Sequence, residues 1–236
     1  MSAAPPVPRR FPPHTSQGSR LTPGAGGALT AYAVVVVVHL GAHLAGAEPL
    51  ANASQWVAVP WLLLALVTQT GLRSRLARFT AGGLVFSWIG DTLPDFVPDS
   101  VAFIALMGSF LLAHVLFIAG FWPWRRQSLL GSRWAWGYAA LAVVMVVVCA
   151  PRAGAMTVGI AVYAVALALM ALLSAGIHRL AGIGGALFLV SDGLIAVGEF
   201  VPSVDVPLPG FWIMATYLAA ILLLTLGVVR RLSSRP

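Results

Sequence analysis

Gly185-Ala-Leu-Phe-Leu-Val-Ser-Asp192 carries an acid into the middle of a long apolar run, with the nearest basic residue, Arg179, thirteen positions back. An earlier stretch answers it: Gly83-Leu-Val-Phe86 runs through Ser-Trp-Ile-Gly90 to Asp91. Each aspartate is followed by a second acid and a shared tripeptide, Asp95-Phe96-Val97-Pro98 in one copy and Glu199-Phe200-Val201-Pro202 in the other. The spacings differ, with Phe86 five residues before Asp91 but Phe188 four before Asp192. An acid inside hydrocarbon costs several kcal/mol, so its presence there is by default a statement about function.

The composition sets the class. The chain is 59% hydrophobic and 9% charged, and its mean hydropathy is +0.92, values far from those of water-soluble domains. The fold class expected is therefore all-α, one polytopic membrane bundle. The fourteen basic residues are all arginine and give a net charge of +7. They stand in short clusters between apolar runs, where they orient helices in a membrane, which argues against nucleic-acid binding. The one cysteine, Cys149, lies within an apolar run, so no intramolecular disulfide is possible.

Residues 1–27 hold six prolines together with Gly, Ser and Arg, a mixture unable to bury enough apolar surface to fold. It reads as a disordered cytoplasmic tail. The domain expected to follow, 28–230, contains apolar segments at 28–46, 55–72, 77–93, 100–121, 134–150, 155–175, 181–198 and 210–229, each close to the 20 or so residues that span a bilayer. That makes eight transmembrane helices, with 231–236 a short cytoplasmic tail. Arginines and acids alternate between successive loops, and only Arg152 dissents, so the positive-inside rule puts both termini in the cytoplasm of a multi-pass inner-membrane protein. Trp56, Trp61, Trp122, Trp124, Trp134, Trp136 and Trp212 fall near predicted helix ends as an interfacial belt, and Trp88 reads as internal. Arg78 precedes Asp91, and Arg179 precedes Asp192, by thirteen residues. At 1.5 Å per residue both carboxyls stand about 20 Å from the basic interface. Equal depth on two parallel helices suggests a 4+4 parallel repeat.

Few other polar residues interrupt the spans. His43 and His114 come within a turn or two of the aspartate layer and would line a pocket there with Tyr217, while Tyr163 and Tyr217 also read as packing residues that place a hydroxyl on a partner. His39 and His43 share a face at i, i+4, a spacing that would suit a metal. A metal-dependent lipid hydrolase with His39, His43 and His114 as ligands is therefore one rival reading. Interhelical hydrogen bonding is the commoner use of a membrane histidine. A small transporter with its binding site at the acids is another rival, since parallel repeats with midplane acids occur there too.

Phe86-Ser-Trp-Ile-Gly-Asp91, Ala113-His114 and Gly184-Gly-Ala-Leu-Phe-Leu-Val-Ser-Asp192 together resemble the YhhN-like family, over about residues 30–230. The family includes lysoplasmalogenases, which hydrolyse the vinyl ether bond of lysoplasmalogens. The resemblance implies eight helices, an alkenyl lysophospholipid as substrate, a fatty aldehyde and a glycerophospho-alcohol as products, and no cofactor. In the second helix the family usually shows Lys-Pro, where this chain has Val59-Pro60. Loss of that lysine leaves room for a third rival, an inactive lipid-binding protein of the same fold.

The chemistry suits the residues. A vinyl ether is cleaved by protonating its β-carbon, and the resulting oxocarbenium ion takes up water. One carboxylic acid and one carboxylate meet both needs, and two nearby carboxyls in an apolar setting divide their protonation in this way. Asp91 and Asp192 are the expected pair, His114 would position water or phosphate, and Ser191 would orient Asp192.

Overall fold

The computed structural model describes residues 21–234, and all of its regular structure is helical. Among the described residues the α-helices are α1 (Pro23–Ala45), α2 (Glu48–Thr70), α3 (Arg75–Thr92), α4 (Asp99–Phe121), α5 (Trp134–Ala153), α6 (Thr157–Ser174), α7 (Arg179–Phe200) and α8 (Pro209–Ser233). Short 3-10 turns occupy Leu93–Phe96, Trp122–Gln127, Leu129–Gly131 and Gly154–Met156.

Six stretches are long and apolar enough to cross a membrane: α1, α2, Asp99–Gln127, Trp134–Ser174, α7 and α8. The stretch Trp134–Ser174 folds back at Gly154, whose φ of 51° suits a residue without a side chain. Ala135 near the start of α5 and Leu172 near the end of α6 line one groove, so the two legs run antiparallel. The 18-residue α3 falls short of a spanning stretch, because Arg75, Arg78 and Asp91 interrupt its apolar content.

Two helices start earlier than their hydropathy suggests, and caps are the reason. The Thr22 hydroxyl accepts from the Ala25 N–H, and Pro23 needs no N–H in the first turn, so α1 takes in 23–27. Those residues belong to the helix and not to the tail; the rest of the expected tail, 1–20, lies outside the described residues. Pro49 similarly opens α2 at Glu48, seven residues before the predicted start. At the other end α8 runs on to Ser233, beyond the expected limit at 230.

Side-chain bonds fix which helix ends meet. The Gln69 amide oxygen accepts from the Thr22 N–H, and the Arg231 guanidinium donates to the Gln127 amide oxygen. Both pairs sit at one end of the bundle. At the other end, the Gln55 amide donates to the Asp91 carbonyl, the Trp56 indole to the Asp95 carboxylate, and Arg152 to the Phe200 carbonyl. The first end carries Arg73, Arg75, Arg78, Arg125, Arg126, Arg133, Arg179, Arg230 and Arg231; the second carries Glu48, Asp95, Asp99, Glu199 and Asp205. Trp88 belongs to this second, acidic end and is not internal: its indole donates to the Trp56 carbonyl and its ring is partly exposed.

Glycines let the helices touch. A Cβ on Gly184 would stand 2.7 Å from the Ala220 carbonyl oxygen of α8, and one on Gly83 2.6 Å from the Phe117 ring of α4. Small residues at such contacts replace the hydrophobic driving force that lipid removes. Val34, Val37, Val143, Val147 and Val165 are exposed and face outward, as a lipid-facing surface requires. Gly184→Val is expected to separate α7 from α8 and cost about 1–3 kcal/mol by overpacking. Thermal melting in detergent should show a clear drop against Gly137→Ala, a position with nothing within 4 Å.

Candidate active site

Helical periodicity turns Asp91 on α3 and Asp192 on α7 inward, where they are 8% and 5% exposed. Beyond its first turn a helix has no backbone hydrogen to spare, so partners for these carboxyls come from other helices.

For Asp192 the partners come from α6 and α4. The Tyr163 hydroxyl donates to its Oδ2 in a short hydrogen bond. The His114 Nε2 stands 3.9 Å from the same oxygen, and both side chains are buried. The His114 ring lies edge-on to Tyr163, centroids 5.2 Å apart, and to Phe188, 4.9 Å apart. Neither ring nitrogen forms a hydrogen bond within the protein.

Asp91 is met by α8. The Tyr217 hydroxyl faces the Asp91 carboxyl and the Ser87 hydroxyl, without a well-aligned hydrogen bond to either. Tyr32 of α1 lies nearby, its hydroxyl donating to the Leu218 carbonyl at 2.7 Å. A run of ring contacts links the two acids, from Tyr217 beside Asp91 through Phe188 to His114 beside Asp192. Phe110 and Phe188 pack edge-on to Tyr217, each with centroids 5.6 Å away, and edge-on to one another at 5.9 Å. Gly90 makes room for this layer, since a Cβ there would come within 2.8 Å of Phe110.

Buried polar atoms are almost always paired inside a protein. Here the Asp91 Oδ2, the Ser87 and Tyr217 hydroxyls and both His114 nitrogens are buried around one aromatic layer without a protein partner. Such a group of idle donors and acceptors suits a polar ligand or reacting water. Beside Asp192 lies a cavity of about 30 Å³, lined by Tyr163, Phe103, Met107, Met145, Ile160 and Phe200 among others. It is large enough to hold a water molecule and rises from the carboxyl toward the acidic end.

Two expected members stand elsewhere. Ser191 does not orient Asp192; consecutive helical residues point about 100° apart, and its hydroxyl donates instead to the Ile213 carbonyl of α8. His43 sits at the acidic end of α8, where its ring abuts Gly210, seven residues and so about 10 Å of helix from Tyr217. His39 lies against α2, its Nδ1 2.9 Å from the Ser54 hydroxyl and 3.0 Å from the Ala51 carbonyl. The three histidines of the metal reading therefore do not converge: His39 and His43 pair with each other, and His114 with Asp192. Among the described residues no group of three His, Cys, Asp or Glu side chains is placed to hold a metal ion.

Sequence reasoning passes over Tyr32, Gln55, Phe110 and Phe188. A lone aromatic in an apolar run carries no signal of its own, though Phe188 lies inside the repeated motif. Val59, standing where the resemblance leads one to expect lysine, is buried in the core one turn from Gln55.

The model of the YhhN family matches residues 50–228, a span that includes Asp91, His114, Tyr163, Asp192 and Tyr217. The lysoplasmalogenases of Mycobacterium bovis and Mycobacterium tuberculosis are each 32% identical to this chain, covering 94% of it and 87% of their own length. No solved structure matches the chain.

The Tyr163 hydroxyl is the one hydrogen-bond donor seated on the Asp192 carboxyl among the described residues. Tyr163→Phe should leave that oxygen buried and unpaired, a loss of about 1–3 kcal/mol, read as a lower melting temperature. Thr216→Val, which removes a partly exposed hydroxyl bonded only to its own helix, should leave the melting temperature within error.

Proposed function

This chain belongs to the YhhN family, and we propose that it is a membrane lipid hydrolase cleaving the vinyl ether bond of lysoplasmalogens. The observation that carries this is the pair of buried carboxyls on α3 and α7, held from different helices on either side of one aromatic layer. The similarity to proteins named lysoplasmalogenase supplies the substrate class.

In this reading the alkenyl chain enters among Phe110, Phe188 and Tyr217, with its first carbons between the two acids. Asp91 carries the proton, its Oδ2 unclaimed by any protein donor. It delivers that proton to the vinyl β-carbon, and the double-bond electrons form the new C–H bond. The positive charge left on the α-carbon and ether oxygen is met by two features. One is the Asp192 carboxylate, to which the Tyr163 hydroxyl donates. The other is the ring faces, which attract cations through their quadrupoles. Water adds to the α-carbon from the Asp192 cavity, giving up a proton to a carboxylate. His114, beside the same oxygen, positions that water. The hemiacetal then breaks its bond to the glycerol oxygen, which takes a proton and leaves with the phosphate, while the aldehyde departs with the chain. No step calls for a cofactor.

The membrane reading follows the charge. With arginines gathered at one end, that end faces the cytoplasm of a bacterial inner membrane and both termini lie there. We take α3 as a short span among eight, held between α2 and α4. The two hairpins α3–α4 and α7–α8 each put an acid on the first helix and, on the second, a ring that meets the acid of the other hairpin, which favours the 4+4 arrangement. Gln55 holds the Asp91 end of α3 from within the bundle.

Asp91→Asn and Asp192→Asn should each abolish aldehyde release from an alkenyl lysophospholipid, a fall of at least a hundredfold in kcat, with folded yield unchanged. Mass detection of aldehyde and of fatty acid, with the acyl analogue run alongside, is the measurement. Turnover retained in both variants, or release of fatty acid instead of aldehyde, would remove the mechanism.

A further inference from the structure

We propose that Arg152 is the phosphate anchor of this site, binding the headgroup of a lysophospholipid whose chain reaches down toward Asp192. The inference rests on the hydrolase reading for its substrate class and on the fold for its place.

Of the ten arginines within the described residues, nine stand at the basic end and Arg152 alone stands among the acids of the other. An arginine on the side opposite the basic loops works against helix orientation, so some local role must favour it. It is not a salt bridge, since Arg152 has no carboxylate partner within 4 Å among the described residues. Its Nη1 donates a long bond, 3.3 Å, to the Phe200 carbonyl. A guanidinium has five N–H donors in a planar fork, and the rest of this one is exposed. That geometry accepts a phosphate on two oxygens.

The position is also right. Phe200 lines the Asp192 cavity and its ring is edge-on to Phe103, 5.5 Å away, at the top of that cavity. Cys149, Ala153, Ile160 and Phe200 form one buried cluster that fixes the end of α5 against α7. Eight residues of α7 separate Asp192 from Phe200, about 12 Å of helix. Six bonds join the vinyl α-carbon, the one Asp192 faces, to phosphorus in a lysoplasmalogen, a chain that the reach of an arginine and of an aspartate extends to that span. Headgroup and vinyl ether can thus be held at once, the first at the membrane surface and the second in the apolar interior.

The test is binding of two non-hydrolysable probes to purified full-length protein in detergent, followed by tryptophan fluorescence. One probe is a saturated 1-alkyl lysophosphatidylethanolamine, the other a 1-alkylglycerol of equal chain length. Arg152→Gln should weaken the phospholipid about tenfold and leave the alkylglycerol unchanged, with Arg152→Lys intermediate and all melting temperatures alike. Equal weakening of both probes, or of neither, overturns the anchor. Turnover of the alkenyl lipid, measured in parallel, separates the two readings: an Arg152-dependent phospholipid affinity without aldehyde release upholds the anchor and sinks the hydrolase.

Discussion

A carboxyl removed from water has to be met by hydrogens or charge from its surroundings, and in a helical membrane bundle only the side chains of neighbouring helices can provide them. The rest of this structure depends on that constraint. Asp91 draws Tyr217 of α8 to its side. Asp192 draws Tyr163 of α6 and His114 of α4. Two acids thereby commit five helices to one region of the interior, and the close glycine contacts of α3 with α4 and α7 with α8 make the approach possible.

The partners are exchanged crosswise. The hairpin α3–α4 offers Asp91 on its first helix and His114 on its second, while α7–α8 offers Asp192 and then Tyr217. Each acid is answered by the second helix of the opposite hairpin. Neither hairpin completes its own acid, so the polar interior exists only when the two are packed together. The rings of Phe110 and Phe188, one from each hairpin, fill the seam between them. Removing water from this seam strengthens whatever electrostatic contacts a reacting group makes there.

Much of this was legible in the sequence because hydrocarbon imposes few solutions. An apolar run of sufficient length must be helical, and an acid within it must turn inward, so the helices and the placement of Asp91 and Asp192 follow from hydropathy and spacing. The convergence of His114 on Asp192 came from counting residues down from opposite ends. What failed did so for local reasons. Ser191 follows Val190 on a helix whose 100° turn sends it toward Ile213 and not along with its neighbour. His39 and His43 share a face, as their spacing requires, but that face meets α2 and the start of α8 at the acidic end. The start of α1 escaped hydropathy because a threonine cap and a proline set it, not apolar content. The aromatic layer had no signature at all, since a phenylalanine in a membrane helix reads the same facing lipid or facing a carboxyl.

The two acids are alike in burial and differ in their neighbours, and in the proposed reaction that difference would divide their labour. Asp192 borders the cavity that climbs toward Phe200, whereas Asp91 lies behind Tyr217 and the ring layer, with Gln55 closing the end of its helix from α2. A group that must meet incoming water belongs on the side with space, which is Asp192. In the proposed reaction the proton donor would then be Asp91, set against the rings that an incoming chain would meet. An interior built with two equivalent pockets would offer no such order. The asymmetry arises from α5 and α6, which flank Asp192 through Met145, Ile160 and Tyr163, while α1 and α2 close over Asp91 through Tyr32 and Gln55. The two hairpins supply the acids, and the helices around them decide what each can meet.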